Sequence, residues 1–219
     1  MSKKLVDWLK STDDPRLQAW VEPTPFGEYR GVLNGLTDLA FSKVYWDSIS
    51  DPAPALYARD MPVYFLTAPE VKFLRAEAAV IHLDNGDAND YYQQGIWLAM
   101  EQWAIPDTAI DRFINNELEA TLFGDEANML RQIATQKWLS FATNFIQAYT
   151  SIRRTGYPVI PRRTASWLEP GVTNGYLPKR FKYPKKEVGI NYDNVMEAIE
   201  RQGPNEISTP VWWDVTGDK

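Results

Sequence analysis

A mainly α fold follows from three observations. Residues 130–158 place Ala134, Trp138, Phe141, Phe145, Ala148 and Ile152 along one stripe of a long helix. Two shorter helical runs, 67–81 and 88–103, flank the turn Asp84-Asn85-Gly86-Asp87. The segments between and around them are punctuated by Pro and Gly and keep no sustained period. The expected architecture is a tetratricopeptide-like helical hairpin plus a long helix, with extensive irregular loops. Residues 1–219 read as one region: an irregular segment 21–62, a helical core 67–158, and a loop with a terminal helix over 159–219.

Each element has a local reason. Residues 5–10 carry Leu5, Val6, Trp8 and Leu9 on a short helix that Asp13-Asp14-Pro15 stops. Residues 21–62 hold Pro23, Pro25, Gly27, Gly31, Gly35, Pro52 and Pro54 beside Phe26, Tyr29, Phe41, Tyr45, Trp46 and Tyr57. An irregular segment of about 40 residues is uncommon, and such segments are often functional. Thr67 caps the helix over 67–81, with Pro69 and Glu70 in its first turn. Its apolar stripe is Val71, Leu74, Ala78 and Ile81, with Glu77 alongside. An unpaired carboxylate there is costly, so Arg153 or Arg154 is the expected partner. His82 stands at the helix end as a cap.

The second helix turns Tyr92, Ile96, Ala99 and Trp103 to one face. The pair spans about 36 residues, near the size of a tetratricopeptide unit. A short helix is expected over 110–122, followed by Gly124. The long helix carries Arg131, Gln132, Lys137, Ser140, Thr143 and Gln147 on its polar side, and ends at Gly156 and Pro158. Trp138 and Phe141 are its anchors against the hairpin. Residues 160–187 read as loop, and 192–201 as a last helix closed by Gly203-Pro204. Val211-Trp212-Trp213 reads as a terminal apolar plug.

Composition removes several kinds of chemistry. There is no Cys, so disulfides, thiolate catalysis and thiolate metal sites are excluded. A single His rules out a His-based metal cluster, and no G-x-S-x-G, Walker A loop or dinucleotide glycine fingerprint is present. The turn at Asp84 lacks the oxygen ligands and closing Glu of a calcium loop. No apolar run reaches the ~20 residues needed to span a bilayer. The net charge is −6, yet residues 151–187 hold nine basic and two acidic side chains. That stretch either binds an anion or neutralises the acidic remainder. No nucleic-acid motif accompanies it, so no nucleic-acid partner is expected.

Several pieces in order carry a resemblance: DPRL at residues 14–17, EVKFLRAEAA at 70–79, YYQQGI at 91–96, QKWLSF at 136–141, NFIQAYTSIRRTGYP at 144–158, NGYLPKRFKYP at 174–184, and the closing GPN and PVWWD. Together they resemble the C-terminal half of the SusD/RagB family of Bacteroidetes. That resemblance implies a surface lipoprotein of the outer membrane which binds a glycan or a peptide without catalysis. It would deliver that ligand to a SusC-type TonB-dependent transporter and need no cofactor or metal. The family's N-terminal half, with most of its helical repeats and its lipid-bearing Cys, has no counterpart here. Membrane attachment would rest on an anchor absent from this chain, and Met1 would fall inside a longer chain. A helical-repeat scaffold for a protein partner is the alternative from another class.

The family has no fixed binding motif, so the site is placed on loop position and residue type. Sugars stack their C–H faces on aromatic rings and take hydrogen bonds from polar neighbours. Tyr29, Tyr45 and Trp46 are the candidate rings in the irregular segment, with Arg30, Asn34 and Asp47 as polar partners. The competing reading is that these rings pin a long loop to the helices.

Overall fold

The computed structural model describes residues 1–214. Its helices are α1 (Lys3–Ser11), α2 (Arg16–Trp20), α3 (Asp38–Phe41), α4 (Ala68–Val80), α5 (Ala88–Glu101), α6 (Asp107–Asn116), α7 (Glu126–Ser140), α8 (Phe145–Thr155), α9 (Lys185–Ile190) and α10 (Tyr192–Gln202). Among the described residues the only β pairing is three isolated bridges. Contacts divide the chain into two units. One is Met1–Asn34 with Val44–Val159; the other is Gly35–Lys43 with Ile160–Lys219.

The first unit is built on the α4–α5 hairpin with α7 against both helices. Thr67 caps α4 by accepting from the Glu70 amide, and Asp87 caps α5 by accepting from Asp90. α4 ends in a Schellman turn: Leu83 N–H donates to Ala78 and His82 N–H to Ala79. His82 occupies the left-handed position at φ 59°, so it closes the helix through its backbone. The contact between α4 and α5 depends on Gly95. A Cβ there would lie 2.7 Å from the Phe73 ring, so only glycine admits that close approach.

The stripe expected on α4 faces the wrong way. Phe73, Ala76 and Val80 are buried, whereas Val71, Leu74 and Ile81 are exposed. Both sets keep helical spacing, and the packing of Phe73 on Gly95 and Tyr92 decides between them. On α5, Tyr92, Ile96 and Ala99 are buried as expected. The helix expected over 110–122 is α6, which starts earlier and gives way to a 3-10 turn at Leu118–Ala120.

The long helix is two helices. α7 stops at Ser140, and α8 restarts at Phe145 with Asn144 as its cap, accepting from the Gln147 amide. The stripe is broken there, and Phe145 is exposed. The expected polar face of α7 is also buried. Gln132 donates to the Thr121 carbonyl at 2.9 Å and accepts from the Phe123 amide at 3.1 Å. Gln136 accepts from Arg16 at 2.7 Å. These bonds make burial of the amides affordable. α8 ends as expected, at Gly156 in the left-handed region.

A second apolar cluster gathers Val6, Leu9, Trp20, Val21 and Leu139. Trp138 packs on this cluster together with Trp103 and is half-buried rather than nearly buried as expected; Phe141 is buried as expected. Beside the cluster Arg16, with no exposed surface, forks onto Asp14 at 2.9 and 2.5 Å.

The second unit has a different construction. Thr37 N–H donates to Trp167 and Glu169 N–H to Gly35, forming a short clasp. Lys179 pairs with Asp214 at 3.1 Å and Lys182 with Glu206 at 2.5 Å. α9 interrupts the end of the expected 160–187 loop, and α10 runs close to its expected bounds. The terminal plug does not form: Trp212 is 86% exposed. Val195 is the unit's buried apolar side chain among the described residues, so there is no apolar floor on which a plug could dock.

Candidate functional site

In the first unit the irregular segment is fixed to α1 and α2 by backbone hydrogen bonds. Val32 N–H donates to Met1 and Lys3 N–H to Val32, at 2.9 and 2.7 Å. Gly31 is required at this crossing, because a Cβ would fall 2.5 Å from the Lys3 Cα. Buried Ser50 ties two strands of the segment together. Its amide donates to the Arg30 carbonyl at 2.8 Å, and its hydroxyl accepts from the Arg30 amide at 3.0 Å. Ala53 N–H donates to Trp20 at 2.8 Å. A loop held at so many points presents its side chains on a nearly fixed frame.

An open groove of about 460 Å³ lies between α1 and residues 27–30, lined by Lys3, Asp7, Lys10, Gly27, Glu28, Tyr29 and Arg30. Lys3 pairs with Asp7 at 2.7 Å and Arg30 with Glu28 at 2.8 Å. Lys10 Nζ donates to the Tyr29 carbonyl at 3.1 Å. Tyr29 is half-buried, its ring packed on the second apolar cluster.

Of the six candidate residues, the groove brings together Tyr29 and Arg30. Tyr45, Trp46 and Asp47 share a separate 3-10 turn, Trp46–Ser48, with Tyr45 just before it. Tyr45 and Trp46 are both exposed, at 61% and 49%. The Asp47 carboxylate beside Tyr45 raises its phenol above the ordinary value. Asn34 is exposed and lines neither feature. Phe26, Tyr57 and Phe65 are further exposed rings in the same unit.

Sequence reading missed Lys3, Asp7, Lys10 and Glu28, which look like an ordinary solvated surface. Their one signal was spacing. Lys3, Asp7 and Lys10 stand at i, i+4 and i+7, on one face of α1.

The expected partner of Glu77 is present. Arg154 donates to its two oxygens at 2.5 and 2.7 Å, and Lys137 reaches it at 3.2 Å. Burial acts to raise the Glu77 carboxyl, but the bonds and charges of Arg154 and Lys137 outweigh it and hold the group below its ordinary value. Burial pushes the Lys137 ammonium down, opposed by the charge of Glu77. This trio joins α4, α7 and α8 and is structural. At the Asp84 turn, Arg75 binds the carboxylate at 2.9 Å. Among the described residues no group of three His, Asp or Glu side chains is placed to hold a metal. No helix there is long and apolar enough to cross a membrane.

The model of one family, SusD-like, described as starch-binding and associating with the outer membrane, matches residues 1–184. No curated protein matches the chain. Among solved structures, a chitin-binding protein is 30% identical with a TM-score of 0.84, covering 99% of this chain and 50% of its own. A SusD homologue from Bacteroides fragilis NCTC 9343 is also 30% identical with a TM-score of 0.84, covering 97% of this chain and 51% of its own. A SusD homologue from Bacteroides uniformis ATCC 8492 is 27% identical with a TM-score of 0.77, covering 97% and 49%. The chain therefore spans about half the length of the solved structures it matches.

Proposed function

This chain belongs to the SusD-like family, whose description is of starch binding in association with the outer membrane, and we propose that it captures a glycan without catalysis and passes it to a SusC-type TonB-dependent transporter. One observation carries the reading at the level of residues. The irregular segment of the first unit holds aromatic side chains outward on a backbone fixed by hydrogen bonds. That is the arrangement on which a sugar's C–H face stacks, because ring and frame are ordered before the ligand arrives. The groove supplies Tyr29 with Arg30 and its paired charges, and the neighbouring turn supplies Tyr45, Trp46 and Asp47. Asn34 adds an amide at the segment's edge. The chitin-binding relative supports a glycan rather than a peptide.

A protein-contact role has one observation in its favour, the outward Val71, Leu74 and Ile81 on α4. Calorimetric titration with chitin oligosaccharides and with maltooligosaccharides tests the glycan reading. Tyr29→Ala and Trp46→Ala are each expected to weaken binding at least about tenfold, equivalent to about 1.4 kcal/mol. Unchanged affinity in both variants would place the site elsewhere. Binding of peptides and of no sugar would move the function to peptide capture.

A further inference from the structure

The basic stretch of the second unit is only partly neutralised. Lys179 and Lys182 are paired with Asp214 and Glu206. Arg162 donates Nε to the Asn174 carbonyl at 2.9 Å and lies 4.6 Å over the Tyr176 ring. Arg180 is buried and donates to the Phe181 carbonyl at 3.0 Å. Arg163 is half-buried, and among the described residues its guanidinium, like the ammonium groups of exposed Lys185 and Lys186, has no ion-pair partner.

The surroundings of Arg163 are unusual in a second way. Three glycines at positive φ frame it: Gly35 at 78°, Gly171 at 59° and Gly175 at 84°. A Cβ on Gly35 would fall 2.5 Å from Nη1, one on Gly171 would fall 4.0 Å from Nη2, and one on Gly175 would fall 2.4 Å from the Arg163 carbonyl oxygen. No side chain stands where the fork lies. A planar fork whose donors face solvent and have no protein partner matches a carboxylate bidentately.

The loop that carries Arg163 also carries exposed rings on a fixed backbone. Arg163 N–H donates to Gly175 at 3.0 Å and Gly175 N–H to Pro170 at 2.6 Å, closing the loop at its neck. The Trp167 carbonyl accepts from Thr37 at 2.9 Å, and Glu169 N–H donates to Gly35 at 2.7 Å. The indole of Trp167 nevertheless stays 54% exposed, and Tyr176 beside the neck is exposed too. A residue whose backbone is clasped on both sides, yet whose large ring faces water, is ordered without being buried.

We propose that Arg163, Trp167 and Tyr176 form a second ligand site that takes a carboxylate-bearing sugar, a uronate unit within a glycan. The carboxylate sits on the Arg163 fork, and the apolar sugar face rests on the aromatic rings. The inference depends on the glycan-capture reading above and adds an acidic substrate class and a separate place for it. The surplus of seven basic over two acidic side chains across residues 160–187 favours the same ligand charge.

The test is calorimetric titration of the full chain with oligogalacturonate and, separately, with neutral chitin oligosaccharide, with circular dichroism as the fold control. The wild type is expected to bind oligogalacturonate. Arg163→Gln should weaken that binding at least tenfold, Trp167→Ala should do likewise, and neutral-sugar binding should be unchanged in both. Arg163→Lys keeps the charge and loses the fork, so it should also lose most of the acidic-glycan affinity. Retention of wild-type affinity in Arg163→Gln, or binding of neutral glycans alone, overturns this site and leaves glycan capture standing. Failure to bind any glycan removes both.

Discussion

The two units solve the problem of staying folded by different means. Among the described residues, Met1–Asn34 with Val44–Val159 holds all the buried apolar side chains except Val195. It is a helical body with two apolar clusters, one under the hairpin and one under α1 and α2. The other unit relies on clasped backbone, ion pairs and stacked arginines. Apolar burial is the larger and more cooperative stabiliser, whereas exposed ion pairs contribute little each. Apolar burial is therefore concentrated in the first unit, while the arginines and rings of the second unit contribute little to an apolar core.

The sharpest way to break this contrast is at Phe73. Its ring has no exposed surface and packs on Gly95 and, edge-on at 6.1 Å, on Tyr92. Phe73→Ala should cost ~3–5 kcal/mol in a denaturant titration, the range for deleting a buried large aromatic. A loss below about 1 kcal/mol would show that the hairpin is not where the fold's stability is concentrated.

The next effect is smaller and depends on pH. Glu77, bound by Arg154 and Lys137, has its folded-state pKa held below the ordinary carboxylate value. Its stabilisation is therefore present above the unfolded pKa and lost as pH falls through the folded one. Lys137 has the opposite sign: burial lowers its pKa, so its charged form carries a cost that is relieved only as pH rises through that lowered value. The acid window thus belongs to Glu77. Glu77→Gln should cost about 1–2 kcal/mol at neutral pH, the scale of hydrogen bonds to charged groups, and nearly nothing once the wild-type carboxyl is protonated. Melts from neutral to acid pH would read this as two curves converging. Parallel curves would mean that Glu77 contributes no pH-dependent stability.

The legibility of the sequence follows the same division. Caps were readable because they are local: Thr67 and Gly156 each act within a few residues. So were the hairpin and the Glu77 pairing. The buried face of α4 was not, because Val71, Leu74, Ala78 and Ile81 keep the same spacing as Phe73, Ala76 and Val80. Only the approach of Gly95 selects one of them. The break between α7 and α8 was hidden by an apolar stripe that continues in phase across Asn144. Gln132 and Lys137 looked solvated, but each is bound to a partner on another element or segment. For the candidate site, residue type and loop position picked out Tyr29 and Arg30, two residues that line the groove. They missed the α1 face opposite, whose charges carry no signal until α1 and the loop are seen together.

The smallest expected effect lies at the end of the second unit and is the most direct check on the contrast. Adjacent tryptophans near a chain end read as a plug, since two exposed indoles forfeit the gain of burial. That argument assumes an apolar floor, and the unit has almost none among its described residues. Trp212 is exposed, and the chain around it is held instead by the Lys179–Asp214 pair and by the Lys179 amide donating to Ile207 at 2.7 Å. Neither contact uses the indole. Trp212→Ser removes a ring that contributes no burial, so the cost should stay within about 0.5 kcal/mol, as for surface substitutions away from special features. By calorimetry the melting temperature should then move by no more than about 2 °C. A fall of 4 °C or more would mean that the ring is buried in the folded protein, and that the second unit owns an apolar core after all.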